Sequence, residues 1–434
     1  MPTRQSPRNP KILNSLTFLF ALATCTLCLA AGAQAQKFTA LYEFPGASNG
    51  ETPSSSLTFD GAGNLYGTTM YGGLNNCNGG LGCGVVYELS PPASGTGPWT
   101  ETVVHTFTNG SDGASPYAGL VADSDGNLYG AAFYGGNFTS THCVNYGCGV
   151  IFELSPAGEG AWTEAVLYAF TGAQDGGYPF GTLTRDSEGN LYGTTVAGGH
   201  INATNCTPSG CGVVFELSPS SSGWHETVLY AFFGDHDGSQ PYTGLTFDQA
   251  GNLYGTTSSA GSADCNCGTV FQLSPVSGGW KETTLHLFTQ LNGSTPQGPV
   301  TLDSAGNVYG TTVDGGPPEG CDDGCGIVFE LSPVATGYWP ETRLRVFNQN
   351  GAFGPSGSLV FDSAGNLYGT VQNSGIYKLT LDAGVWKQTG YFSPKVANGN
   401  TPIGGLIIDS SGNLYGTFAY GGTSDGGVAF KFVP

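Results

Sequence analysis

The sequence predicts an all-β fold: a seven-bladed β-propeller of four-stranded blades, closed by an N-terminal strand that completes the last blade. Three observations carry this. The pentapeptide G-N-[LV]-Y-G starts at Gly63, Gly126, Gly189, Gly251, Gly306, Gly365 and Gly412. Each copy sits in a unit that reads as four short apolar strands separated by turn residues. The last unit ends after its third strand, whereas the segment Phe38 to Phe44 reads as a fourth strand with no unit of its own. An array split in this way closes on itself, and closure removes the open sheet edges that would template aggregation.

Within a unit, strand a is the run before the pentapeptide, such as Gly119 to Asp123, and strand b follows it, as in Asn127 to Gly130. Between them an Asp stands three residues before the Gly, at Asp60, Asp123, Asp186, Asp248, Asp303, Asp362 and Asp409. D-x-x-G-N is a turn with a mechanism. The carboxylate accepts from backbone N–H groups just ahead, and Gly-Asn tolerates left-handed φ. Strand c is the run Gly149 to Leu154 and its relatives. Strand d starts at a Trp, and all six Trp (Trp99, Trp162, Trp224, Trp280, Trp339, Trp386) hold that place. They are expected to pack between blades or along the rim. The Gly closing strand b is expected where a bulky partner comes close. The domain reading is an export signal at 1–35 and one propeller at 36–434, with repeats centred on 63–67, 126–130, 189–193, 251–255, 306–310, 365–369 and 412–416.

The first residues have the form of a signal peptide. Arg4, Arg8 and Lys11 precede an apolar stretch from Leu16 to Ala31, and Ala33-Gln34-Ala35 is a small-residue cleavage site. Cys25 and Cys28 lack the small preceding residue that lipidation requires. No second long apolar run follows, so the mature chain is expected to be soluble, without a transmembrane segment, and secreted or periplasmic. The chain has 72 Gly among 434 residues, and its formal net charge is −20. That charge repels a polyphosphate, which argues against nucleic-acid binding. The aromatic content, 12%, is too high for a disordered chain.

Ten cysteines remain after the signal, in five local pairs: Cys77 with Cys83, Cys143 with Cys148, Cys206 with Cys211, Cys265 with Cys267, and Cys321 with Cys325. Each pair lies in the loop between strands b and c, with the second Cys directly before the Gly of strand c. An even count in local pairs on an exported chain reads as disulfides. The pair Cys265 and Cys267 has the shortest span and the tightest geometric demand. The spacings vary and His is scarce nearby, which disfavours zinc.

These segments resemble the GloVer tandem repeat of exported bacterial proteins. The resemblance rests on D-x-x-G-N-L-Y-G-T-T-x-x-G-G, C-G-V-V-F-E-L-S-P, W-x-E-T-V-L-Y-x-F and a D-G-x-x-P-x-x-x-L loop, recurring in that order. It implies repeats and export, and it brings no catalytic residues with it. Units six and seven depart from it, lacking the Cys pair and carrying Lys378 and Lys431 where others have Glu or Gln.

In such a propeller the d-to-a and b-to-c loops share one face. They vary from unit to unit, so binding is expected there. That face carries Asp112, Asp175, Asp235 and Asp237 in the d-to-a loops and Tyr71, Tyr134 and Tyr420 before the Gly-Gly pairs. His142, His200 and His236 fall on the same side. Carboxylates accept from sugar hydroxyls and ring faces cover sugar C–H patches, so Asp175, His200, Asp235, His236, Asp237, Tyr71 and Tyr134 are the candidate ligand contacts. The competing reading for the Asp-Gly pairs is turn capping. Asp264, Asp314, Glu319, Asp322 and Asp323 form an acidic group on the same side. The run from Asp314 to Asp323 could take Ca²⁺, though it lacks regular D-x-D-x-D spacing; no other cofactor is implied. The expected function is non-catalytic binding, with extracellular glycans or surface proteins as partners. The alternatives are a secreted carbohydrate-active hydrolase or lyase, for which a carboxylate pair at suitable separation would serve, and a purely structural surface protein.

Overall fold

The computed structural model describes residues 1, 36–95, 97–262, 265–317, 321, 324–348, 353–372, 375–394 and 399–434. Those residues form seven antiparallel four-stranded blades arranged as a propeller. In the second blade the order from the axis outward is Val121–Ala122, Leu128–Ala132, Val150–Gly158 and Ala161–Ala169. The seventh blade takes Ile407–Ile408, Leu414–Phe418 and Val428–Val433 from one end of the chain and Lys37–Glu43 from the other. Lys37 pairs with Val433 and Glu43 with Val428, so the expected closure is present. No helix among the described residues is long and apolar enough to cross a membrane. The export-signal reading falls on residues 2–35, outside the described set.

The turn before strand b works as its sequence suggests. Asp123 Oδ1 accepts from the backbone N–H groups of Asp125 and Asn127, each at 2.9 Å. Its Oδ2 accepts from Asn127 Nδ2 at 2.9 Å and from the Tyr129 hydroxyl at 3.0 Å. Burial alone would raise the Asp123 carboxyl, but these hydrogen bonds outweigh it and hold the group below the usual carboxylate range. One motif thus ties Asp, Asn and Tyr into a single unit that anchors strand b at its start. Strand b is buried along its whole length in the second blade. Its Gly130 pairs with Phe152 of strand c, and a Cβ there would lie 2.5 Å from the Phe152 ring. Only Gly lets that ring lie across the sheet.

The core lies between the blades. Five of the six Trp of strand d meet the preceding blade's pentapeptide Tyr. Trp162 meets Tyr66 at 6.0 Å, Trp224 meets Tyr129 at 6.2 Å, and Trp280 meets Tyr192 at 6.5 Å. Polar seams run alongside, as where Thr246 Oγ1 donates to the Val300 carbonyl at 2.6 Å. The ring is sealed by the same contacts between the last blade and the first. Thr417 Oγ1 donates to the Ser55 carbonyl at 3.1 Å, and Phe59 packs edge-on against Tyr415 at 5.1 Å.

The Glu of W-x-E-T is half-buried in the seam. It faces the d-to-a turn of the preceding blade. Oε1 of Glu101, Glu164, Glu226 and Glu341 is buried without a hydrogen-bond partner among the described residues. Burial, and then the neighbouring Asp175, push Glu226 up to about 7.

Candidate functional site

The site is built from the segment that carries strand d of one blade into strand a of the next. Each such segment contains a Pro, and the residue before it has positive φ: 60° at Thr52, 52° at Ser115, 60° at Tyr178, 56° at Gln240, 57° at Thr295, 63° at Gly354 and 56° at Thr401. Left-handed backbone costs a non-Gly residue roughly 1–2 kcal/mol. It persists only where surrounding bonds impose it. In five of the seven segments the imposing bond runs to a cysteine of the preceding blade. The Ser115 N–H donates to the Cys83 carbonyl at 2.7 Å, Tyr178 to Cys148 at 2.7 Å, Gln240 to Cys211 at 2.8 Å, Thr295 to Cys267 at 3.0 Å and Gly354 to Cys325 at 3.0 Å. The second cysteine of each pair thereby sets where the next blade's inner segment runs.

All five expected disulfides form. Cα–Cα distances are 5.1 Å for Cys77 and Cys83, 5.3 Å for Cys143 and Cys148, and 5.0 Å for Cys206 and Cys211. The close pair Cys265 and Cys267 spans 5.3 Å, and Cys321 and Cys325 span 5.4 Å. Cys325 is buried in the core between the fifth and sixth blades, with Tyr309 and Phe347, and its partner Cys321 is packed at the edge.

The residue after each Pro is delivered to the axis. Ser54, Tyr117, Phe180, Tyr242, Gln297, Ser356 and Ile403 all line a central cavity of about 350 Å³. Seven equivalent backbones thus present seven different side chains, three consecutive ones aromatic. Tyr117 stacks on Phe180 at 4.8 Å, and Phe180 meets Tyr242 edge-on at 5.0 Å. Phe133, at the end of strand b, touches Tyr117 at 5.4 Å and stacks on Tyr178 at 5.1 Å. The rings continue outward through Tyr134, 4.7 Å from Phe133, to Tyr146 on the second blade's b-to-c loop, 5.4 Å further. Tyr134 and Tyr146 border a second cavity of about 450 Å³, lined also by Asn75, Asn76, Asn78, Asn109 and Asn145.

No Asp, Glu, Lys, Arg or His lines either cavity among the described residues. Burial, followed by the neighbouring phenols of Tyr71, Tyr134 and Tyr242, pushes Tyr117 well above the ordinary tyrosine range. It is a neutral hydroxyl at any physiological pH. The Ser54 side chain, 5% exposed, lines the axial cavity and its Oγ finds no hydrogen-bond partner among the described residues. Burying a hydroxyl unpaired is unfavourable, so this atom would gain from any partner that reaches it.

The candidate residues read from the sequence divide between two places. Tyr134 lies on the aromatic run, and Tyr71 is close enough for its phenol to bear on those of Tyr117 and Tyr134. The acidic residues are engaged elsewhere. Asp175 accepts from the Thr171 N–H at 2.7 Å and the Tyr168 hydroxyl at 3.1 Å. Asp237 is buried and accepts from the Phe233 N–H at 2.8 Å and the Tyr230 hydroxyl at 2.9 Å. Both close the turn after strand d. Asp235 is exposed, and its carboxylate accepts from the Asp237 N–H at 3.5 Å. His236 is exposed and offers its carbonyl to Thr284 Oγ1 at 3.2 Å. His200 stacks on Phe233 at 4.0 Å. None of these five lines the axial cavity. Asp264, Glu319, Asp322 and Asp323, the acidic group considered for Ca²⁺ apart from Asp314, lie outside the described residues. No group of three or more His, Cys, Asp or Glu among the described residues is placed to hold a metal ion.

Tyr117, Phe180 and Tyr242 were not singled out by sequence. Their signal was the position directly after Pro in the D-G-x-x-P-x-x-x-L loop, where side-chain type changes while the frame stays constant.

The fold and this axial site define a disulfide-pinned β-propeller with an uncharged, partly aromatic channel mouth. The Gloeobacter/Verrucomicrobia repeat model matches residues 28–207 and 139–333, and the chain belongs to that family. No curated protein matches the sequence. Among solved structures, the chain is similar to PorZ of Porphyromonas gingivalis, described as an essential bacterial surface component of the type-IX secretion system. That likeness has TM-score 0.52 at 17% identity and covers 90% of this chain and 47% of that one. It is also similar to the extracellular domain of a putative hybrid two-component system of B. thetaiotaomicron, with TM-score 0.51 at 15% identity, covering 92% of this chain and 41% of that one. The chain spans less than half the length of either, and at these identities the likeness is one of fold.

Proposed function

We propose that this protein is an exported, non-catalytic binding propeller whose ligand docks at the aromatic side of the axial channel mouth. The observation that carries the reading is the contrast between frame and side chain. Seven equivalent Pro-containing segments aim one residue each at the axis, and three adjacent ones present contacting rings. Structural repetition alone calls for the same residue type seven times. Differing side chains held on one repeated, rigid backbone frame are the pattern of recognition. Export agrees with the five disulfides, which persist in oxidising compartments. The non-catalytic reading agrees with Asp175 and Asp237, which hold turns and do not line the cavity.

The test is a binding screen of the purified mature protein against polysaccharides and surface-protein preparations, run in parallel with a reducing-end assay. A triple variant combining Tyr117→Ser, Phe180→Ser and Tyr242→Ser is expected to lose whatever the wild type binds while keeping its thermal transition. Unchanged binding by that variant overturns the location, and release of reducing ends overturns the non-catalytic assignment.

A further inference from the structure

We infer that the ligand is an uncharged, unbranched glycan strand, lying along the ring track from Tyr146 to Tyr242 with one terminus in the axial cavity. This rests on the binding role proposed above and adds the ligand's class and course. Three features select that chemistry. The first is continuity. From Tyr146 through Tyr134, Phe133, Tyr117 and Phe180 to Tyr242, successive ring centroids are 5.4, 4.7, 5.4, 4.8 and 5.0 Å apart. Rings in mutual contact along this course form one continuous, elongated apolar surface, which suits an extended polymer of pyranose rings better than a compact ligand. The second is neutrality. The chain carries a formal charge of −20, yet both cavities along the track are free of ionisable side chains apart from tyrosines and disulfide-bonded cysteine. An anionic polymer would meet no cation there and would be repelled by the surrounding field. A cationic ligand would find no carboxylate to pair with.

The third is the polar complement. Amides and hydroxyls, each able to donate and accept as sugar hydroxyls do, stand beside the rings. The side chains of Asn75, Asn109 and Asn145 make no hydrogen bond to protein among the described residues, although all three line the outer cavity. At the inner end stands the buried, unpaired Ser54 Oγ, with Gln297 and Gln372 lining the same cavity. An unpaired hydroxyl on the blade next to Tyr117 fits a sugar terminus inserted end-on. A peptide strand would look instead for a row of free backbone N–H and C=O groups. Here the Phe133 N–H, just past the second blade's strand b, donates to the Ser115 carbonyl, and the Tyr134 N–H and C=O are both paired with Ala114.

The test is isothermal titration of the mature protein with the glucose, xylose and N-acetylglucosamine β-1,4 hexamers, with the matching dimers, and with hexagalacturonate. At least one neutral hexamer is expected to bind, and its dimer more weakly. Phe180→Ala in the channel and Tyr146→Ala at the outer end should each weaken the hexamer by roughly three- to tenfold, and multiply when combined. Tyr146 is 59% exposed, so its variant tests the track without touching the core. Absence of binding by every neutral hexamer overturns the inference, as does equal affinity for dimer and hexamer or preference for hexagalacturonate. If a protein or an anionic polymer proves to be the ligand and Phe180→Ala abolishes its binding, the docking site stands and the glycan assignment falls. If Phe180→Ala leaves all binding intact, the docking site falls as well.

Discussion

Replacing Glu226 by Gln is expected to stabilise the propeller at alkaline pH and to leave it unchanged in mild acid. Glu226 projects from strand d of the third blade into the seam with the second. Its Oε1 is buried there without a partner among the described residues, and Asp175, held by Thr171 and Tyr168, contributes a like charge. Burial first and Asp175 second push the carboxyl from its ordinary 4.5 up to about 7. In a dry site that displacement corresponds to about 3 kcal/mol; the residue is only half-buried, so screening by solvent reduces it to about 1–2 kcal/mol. The sign follows from linkage. The folded state holds the proton more tightly than the unfolded chain, so the associated stability is fully present below about 4.5 and is lost as pH rises through about 7. Gln mimics the protonated acid at every pH. Differential scanning calorimetry of wild type and Glu226→Gln should give coincident transitions near pH 4.5. At pH 8 the variant should melt higher, on the order of 2 °C for a domain this large. Taking the difference between the two proteins removes the contribution of other groups, such as His286, which burial lowers to about 4. A variant that melts with or below the wild type at pH 8 would refute the idea that an ionised Glu strains this seam. Glu282, pushed up to about 7 by burial and then by Asp237 and Asp235, occupies the next seam. Glu282→Gln should act in the same direction and add to the first change, because the seams are separate.

Three further outcomes are expected. Gly193→Ala places a Cβ 2.6 Å from the Phe215 ring, and overpacking of that kind should cost about 1–3 kcal/mol in chemical denaturation; an unaltered midpoint would mean that the ring moves freely. Tyr377 is buried with no partner for its hydroxyl among the described residues, at a position where Phe152, Phe215, Phe271 and Phe329 stand in other blades. Tyr377→Phe should therefore raise stability by about 1 kcal/mol, whereas a loss would reveal a bond to the hydroxyl. Deleting residues 36–43 leaves Val428–Val433 as an open edge, so size-exclusion chromatography should show oligomers or aggregates; a monomer with the original melting temperature would contradict closure by that strand.

Much of the architecture is local and therefore legible in the chain. D-x-x-G-N-L-Y-G encodes its own turn, because the Asp123 carboxylate, the Asn127 amide and the Tyr129 hydroxyl that meet in space are only a few residues apart. Repetition multiplies that signal sevenfold, and the orphan strand at Phe38 to Phe44 discloses closure by simple counting. The disulfide pairs were likewise readable, from Cys77 with Cys83 to Cys321 with Cys325, since each is local in sequence. The carbonyl role of Cys325 and its four counterparts was not, because each reaches into the next blade.

What the tertiary structure alone decided is which face residues meet. Asp175, Asp235 and Asp237 stood out as chemistry, and turn geometry engages them through neighbours within seven residues. Tyr117, Phe180 and Tyr242 are about sixty residues apart along the chain and 5 Å apart at the axis. Their contact depends on the ring closing and on each cysteine carbonyl holding the next inner segment in place. Periodicity along the sequence determined that there would be seven blades; only the convergence of those blades on one axis made three separated rings into a surface.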